Sequence, residues 1–231
     1  MKRIAKAALN KIVVPAVRHV VEQVSPPLLR HTVHDEISLR VAKECADYAE
    51  KHMSRALHFG NKSLLLDHAI DQRNIEGLAL EFGVADGNSI NDIAKKIAPQ
   101  TIYGFDSFEG LHVDWAGAGL PKGTFNRNGK PPKVEKNVEL VKGWFDKTIQ
   151  PFIAKHREPI GFAHIDCDTY EATKIVLNAV TPALVRGSVL VIDDYFGYRG
   201  RKIGGHKAWQ ETGLKYKYLG FEAFAASIRL V

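Results

Sequence analysis

Apolar positions along the chain repeat in two different rhythms. Residues 1–24, "MKRIAKAALNKIVVPAVRHVVEQV", place Ile4, Ala8, Ile12, Ala16, Val20 and Val24 four apart, with Leu9, Val13, Val17 and Val21 beside them. That is the period of an amphipathic helix with a basic opposite face, and Pro15 is placed to kink it. "SPPLL" at 25–29 separates this helix from a second one predicted over 36–58 and a shorter one over 61–72. From residue 77 the rhythm changes. Short apolar runs, "GLALEFGV" (77–84), "TIYGFD" (101–106), "VELVKGWF" (138–145), "IGFAHID" (160–166) and "GSVLVIDD" (187–194), are separated mostly by helix-length segments. Such alternation predicts βαβ units and a mainly parallel sheet.

The helix after the first run carries Ile90, Ile93, Ala94 and Ile97 on one face and ends at Pro99. Ser89 with Asp92 three residues on reads as its capping box. Further helices are predicted over 170–181 and 204–213. The tail differs: "LKYKYLGF" and "AFAASIRLV" are two β-like runs about a tight turn, suiting an antiparallel pair at the sheet edge. Residues 111–133 are rich in Gly, Pro, Lys and Asn with no period, and a loop of that length is either functional or disordered. One compact domain is expected, a helical extension over 1–75 packed on an α/β core over 76–231.

Composition narrows the class. A hydrophobic content of 45% and a charged content of 25% are ordinary for a globular protein. The net charge of +6 is concentrated in residues 1–21, where Lys2, Arg3, Lys6, Lys11 and Arg18 face no acid. The remainder is nearly neutral and carries no motif of a nucleic-acid reader, so no nucleic-acid partner is expected. Cys45 and Cys167 form no C-x-x-C pair, which suits a reducing, cytoplasmic setting. The first helix is too interrupted to span a bilayer and is followed by no cleavage site. Three roles stay open for it: packing on the domain or on a second copy in a homodimer, peripheral contact with a membrane through residues 1–24, or targeting.

Candidate chemistry gathers where strands end, which in an open parallel sheet is where ligands bind. In "EFGVADGNS", Gly83 and Gly87 flank a strand-to-helix turn whose backbone can approach a negative ligand group closely. The turn lacks the G-x-G-x-x-G spacing of dinucleotide binders. Asp106 ends the next strand, 23 residues beyond Gly83, a spacing that suits two ribose hydroxyls. "HIDCDTYE" and "VIDDY" bring Asp166, Asp168, Asp193 and Asp194 to neighbouring strand ends. Four carboxylates in one crevice suppress each other's ionisation unless a cation is present, and oxygen ligands suit Mg²⁺ or Ca²⁺.

The ordered set "EFGVADGNSI", "YGFDSFEGL", "VKGWFDKTI", "HIDCDTYEAT" and "VLVIDDY" resembles the macrocin O-methyltransferase family, class I S-adenosylmethionine-dependent enzymes that act on sugar hydroxyls of natural products. The likeness covers residues 76–213. It implies a Rossmann-like fold with a seven-stranded, mainly parallel sheet and an antiparallel terminal hairpin, plus the N-terminal helices. It also implies that Glu81, Gly83, Gly87, Asn88 and Ser89 hold the methionine part of the cofactor and that Asp106, Ser107 and Phe108 hold the ribose. Trp144 or Phe145 would meet the adenine, with core packing the alternative for both. Asp166 would border the cofactor; with Asp193 and Asp194 it matches positions that ligate Mg²⁺ in metal-dependent members. Asp168 matches the general base. This chain departs from the family at Cys167 and Thr169, where Gly and Leu are usual, and in its "GVADG" turn.

His164, inside an apolar run, reads as a hydrogen-bonded core histidine, whereas Tyr170 and His206 are candidates to face substrate. The resulting expectation is a Mg²⁺-assisted O-methyltransferase acting on a small-molecule, sugar or glycoconjugate hydroxyl in natural-product or polysaccharide biosynthesis. Two other readings remain at this level: a nicotinamide-dependent oxidoreductase, which leaves the four acids unexplained, and a non-catalytic nucleotide-binding scaffold.

Overall fold

The computed structural model describes residues 32–231, so the helix expected over 1–24 and the break at 25–29 lie outside the described residues. Two compact units divide the chain, one ending at Arg40 and the other running Val41–Val231. In the described part of the first, Thr32 and Asp35 form a capping box. The Thr32 N–H donates to Asp35 Oδ2 at 2.8 Å and the Asp35 N–H to Thr32 Oγ1 at 3.2 Å. They open helix α1 (Val33–His52). The helix stops six residues short of the predicted 58. Met53, 2% exposed, turns into the core, and Leu57–His58 become a two-residue strand, β1.

The rest of the second unit follows the alternation anticipated from sequence: α2 (Lys62–Asp71), β2 (Leu78–Phe82), α3 (Asn88–Ile97), β3 (Ile102–Asp106), β4 (Val138–Lys142), α4 (Phe145–Lys155), β5 (Ile160–Ile165), α5 (Tyr170–Val180), β6 (Leu184–Ile192), α6 (Gly205–Gln210), β7 (Tyr216–Phe221) and β8 (Ala226–Leu230). Among the described residues these strands form one sheet in the order β1-β7-β8-β6-β5-β2-β3-β4. β8 runs antiparallel to both neighbours and every other pair is parallel.

The sheet of the described residues therefore has eight strands rather than seven. The β7–β8 hairpin forms as expected but is not the edge, because β1 pairs parallel with β7 at Gly220 and Phe221.

Strand residues alternate between two cores, as the pleat requires. Leu80, Phe82, Ala163, Ile165, Leu190 and Ile192 pack with Ile149, Val176, Leu177 and Trp209 of α4, α5 and α6. Ala79, Phe162, Val189 and Val191 face Leu65 and Ala69 of α2 and Ile90, Ile93 and Ile97 of α3. The chain reverses direction across the sheet between β2 and β5, which opens a crevice at their carboxyl ends. No helix among the described residues is long and apolar enough to cross a membrane.

Candidate active site

The crevice begins with two glycines. Gly83 takes φ +93°, and a Cβ there would lie 1.7 Å from the carbonyl oxygen of Asp166, so only glycine lets the ends of β2 and β5 meet. Gly87, at φ +82°, caps α3 without a side-chain bond. The helix starts at Asn88, so Ser89 lies within its first turn rather than at its cap. The expected Ser89–Asp92 box does not form: the Ser89 hydroxyl donates to Glu81 Oε1.

Glu81 is wholly buried. It lies in register with His164 across β2 and β5, and its Oε1 pairs with His164 Nδ1 at 3.0 Å. Burial opposes a charge on the imidazole, but the Glu81 carboxylate outweighs it and raises the His164 pKa. His164 is thus the hydrogen-bonded core histidine read from its apolar run. Glu81 stands behind the crevice wall and reaches the cavity through Ser89.

At the end of β3, Asp106 Oδ2 accepts the N–H groups of Val84 and Ala85 at 2.8 Å each, and Oδ1 accepts that of Phe108 at 2.7 Å. A carboxylate has room for further donors after three, and Asp106 borders the cavity. Non-glycine residues with left-handed backbone recur along this rim: Ala85 after β2, Phe108 after β3, Asp168 after β5 and Asp194 after β6. Strain of this kind, of order 1–3 kcal/mol per residue, gathers at functional sites.

Between these strand ends lies a cavity of about 880 Å³ bordered by Gly83, Asn88, Ser89, Asp106, Ser107, Trp144, Phe145, Asp166 and Asp168. Phe145 packs edge-on against Phe82 at 6.2 Å, while Trp144 is 37% exposed on the rim near His112. The loop after β3 closes one side. Leu111 and Phe125 border the cavity, Asn91 of α3 bonds both Lys133 and Glu135, and Arg127 pairs with Asp86 in the glycine turn. Gly87 and Phe108 do not border the cavity; Phe108, 1% exposed, belongs to the core.

The four acids converge, with a cation among them that sequence reasoning missed. Lys62, the first residue of α2, places Nζ 3.2 Å from Asp166 Oδ2 and in closer contact with Asp193 Oδ2. Burial disfavours its charge, yet the two carboxylates raise its pKa above the ordinary lysine value. Carboxylate oxygens of Asp166, Asp168 and Asp194 lie within 4.8 Å of one another. Burial and then neighbouring acids push Asp166 up to about 7, Asp168 to about 8 and Asp194 to about 10. Burial would raise Asp193 as well, but Lys62 holds it below the usual range.

Three hard oxygen donors converging in a half-buried crevice fit a divalent cation such as Mg²⁺. Asp166, Asp168 and Asp194 form one such group and His164, Asp166 and Asp193 another; in the second, His164 is bonded to Glu81 and Asp193 to Lys62.

Two predicted residues lie elsewhere. Tyr170 bonds Glu211 at 2.8 Å under the Lys207 ammonium. His206 packs edge-on against Tyr195 and Tyr48, at 4.6 and 5.2 Å, where burial and then Arg201 lower its pKa to about 4. Neither borders the cavity.

A Rossmann-like sheet with its cofactor-sized cavity at the reversal point and acids on the adjoining strand ends defines the class I methyltransferase architecture. The chain matches the methyltransferase domain family over residues 80–195, and it belongs to that family of S-adenosylmethionine-dependent enzymes. The oxidoreductase and scaffold readings fall with that membership. Its fold is shared with CalS11, a calicheamicin methyltransferase: 21% identity, TM-score 0.61, covering 87% of this chain and 94% of that one. The apo form of CalS11, a TDP-rhamnose 3'-O-methyltransferase, gives 20% identity and a TM-score of 0.53 over 87% and 96%. The O-methyltransferase NovP gives 18% and 0.52 over 73% and 77%. No curated protein matches.

Proposed function

We propose that this protein is an O-methyltransferase of the macrocin type, transferring the S-adenosylmethionine methyl to a hydroxyl of a small molecule, sugar or glycoconjugate with help from Mg²⁺. The observation that carries this reading is the placement of Asp168 on the wall of the cavity that Asp106 and Ser89 also border. A proton acceptor and a cofactor-sized space thus share one crevice.

In this reading the methionine end lies over Gly83, Asn88 and Ser89. The Asp106 carboxylate takes the ribose hydroxyls beside Ser107, and Trp144 or Phe145 flanks the adenine. Asp166 borders the cofactor and, with Asp168 and Asp194, would hold the divalent ion; Asp193 would join only by exchanging its Lys62 contact. A bound divalent ion would supply Lewis acidity that lowers the pKa of an acceptor hydroxyl. Asp168 then receives the hydroxyl proton as the oxygen attacks the methyl carbon and the sulfonium C–S bond breaks, leaving S-adenosylhomocysteine and a methyl ether. The chain's share of the rate is alignment, holding oxygen, carbon and sulfur near one line. Sugar hydroxyls come first among acceptors because CalS11, which shares the fold, is a TDP-rhamnose 3'-O-methyltransferase.

Titration calorimetry with S-adenosylhomocysteine, with and without Mg²⁺ and with NADH as control, tests the cofactor site. Binding of the homocysteine compound alone is expected; a preference for NADH, or no binding, overturns the reading. An acceptor screen with methyl-labelled cofactor then tests O-methylation and its metal dependence.

A further inference from the structure

Lys62 lies 104 residues before Asp166 and 131 before Asp193 in sequence, yet its ammonium joins the two. Its backbone is firmly anchored. Asn61 caps α2 by accepting the Leu64 N–H at 3.0 Å, and Leu65, Leu66, Ala69 and Ile70 bury the other face of that helix. Its side chain is free to retreat, being 36% exposed and bordering the cavity. Of its two partners Asp193 is the more enclosed, at 7% exposure against 24% for Asp166.

Asp166 is the pivot. Its carboxylate belongs both to the Lys62 pair and to the group formed with Asp168 and Asp194. A divalent cation in that group and the ammonium would be like charges sharing one carboxylate, and they repel strongly in a half-buried site. Without any cation, the adjacent Asp166 and Asp193 carboxylates would repel each other and oppose the fold.

We propose that Lys62 is an internal counter-ion that competes with the divalent cation for Asp166. In the metal-free protein it neutralises the Asp166–Asp193 pair; when the metal binds, the ammonium withdraws from Asp166 and is left with Asp193. This rests on the Mg²⁺ reading above. It gives the chain a site that stays folded when empty, at the expense of metal affinity.

The test uses Mn²⁺ as probe, free ion being counted by electron paramagnetic resonance, on the wild-type protein, Lys62→Met and Lys62→Arg. Lys62→Met should bind Mn²⁺ about tenfold more tightly than wild type, melt at a lower temperature without metal and gain more from Mg²⁺. Lys62→Arg should stay near wild type. A second measurement needs no variant: the rate of Lys62 acetylation by a water-soluble anhydride, read by mass spectrometry, should rise severalfold when Mg²⁺ is added.

Equal or weaker Mn²⁺ binding by Lys62→Met, or labelling indifferent to Mg²⁺ in a protein that binds it, overturns the competition and leaves the metal reading intact. Failure of wild type and both variants to bind Mn²⁺ overturns the metal reading, and the inference with it.

Discussion

The carboxylate of Asp106 accepts the backbone N–H of Val84 at 2.8 Å, so the end of β3 shapes the turn that leaves β2. The same oxygen holds Ala85, whose backbone is left-handed. Asp106→Ala removes these two bonds, the one Oδ1 accepts from Phe108, and the proposed ribose acceptor. The affinity for S-adenosylhomocysteine should fall by about 10–100-fold, the range of one to two charge-assisted hydrogen bonds. Calorimetry measures this, and amide exchange at Val84 and Ala85 should quicken. Unchanged affinity would remove Asp106 from the cofactor site.

Asp168→Asn keeps the shape of the acceptor wall and removes the proposed base, which is also one of the three carboxylates that would hold the divalent ion, so Mn²⁺ affinity is measured beside turnover. Turnover should drop by about 10²-fold or more, with affinity for S-adenosylhomocysteine nearly unchanged. Full activity in the variant would mean that another group takes the proton.

Gly83 and Gly119 both have left-handed backbone, φ +93° and +76°, but a Cβ has open space only at Gly119. Comparing Gly83→Ala with Gly119→Ala by urea unfolding separates backbone strain from collision with Asp166. The Gly119 variant should lose about 1–2 kcal/mol and the Gly83 variant more than about 3 kcal/mol. Equal losses would mean that β2 and β5 can part without penalty.

Protonation of the acid crevice sets a pH profile with a definite sign. Asp168 and Asp194 ionise near pH 4 when unfolded but only around 8 and 10 when folded. Between those values the folded protein keeps protons that the unfolded chain has released, so metal-free stability declines as pH rises. His206, lowered to about 4 from 6.5, acts oppositely: its contribution grows from pH 4 to 6.5 and is constant above. Asp193, also lowered, loses its stabilising contribution only as pH falls below the ordinary aspartate range. The melting temperature should therefore fall between pH 6.5 and 8, less steeply in Asp194→Asn and less steeply with Mg²⁺. A flat metal-free profile would show that the acids are not suppressed.

What could be read from sequence was whatever repeats locally. Ile90, Ile93, Ala94 and Ile97 mark one face of α3, and the apolar runs of β2 to β6 stop at the residues that form the crevice. Lys62 left no such mark, because its partners are chosen by how α2 docks rather than by anything near it in sequence. Two residues are too few for a period, so Leu57–His58 passed as the end of a helix. Tyr170 and His206 sit close to the acids in sequence, but the phase of α5 and α6 turns one to Glu211 and the other into an aromatic cluster. The Ser89–Asp92 pair had the spacing of a cap, yet a buried acceptor at Glu81 took the hydroxyl instead.

The smallest strand has a consequence for the protein's colloidal behaviour. A β7 left bare would offer a ladder of unpaired amides to any extended chain, a common route to aggregation. Leu57–His58 occupies that ladder at Gly220 and Phe221, the Phe59 N–H extends the cover to the Phe221 carbonyl, and exposed Lys217 puts a charge on the rest. Among the described residues, the two-residue strand and Phe59 thus shorten the stretch of β7 open to another chain.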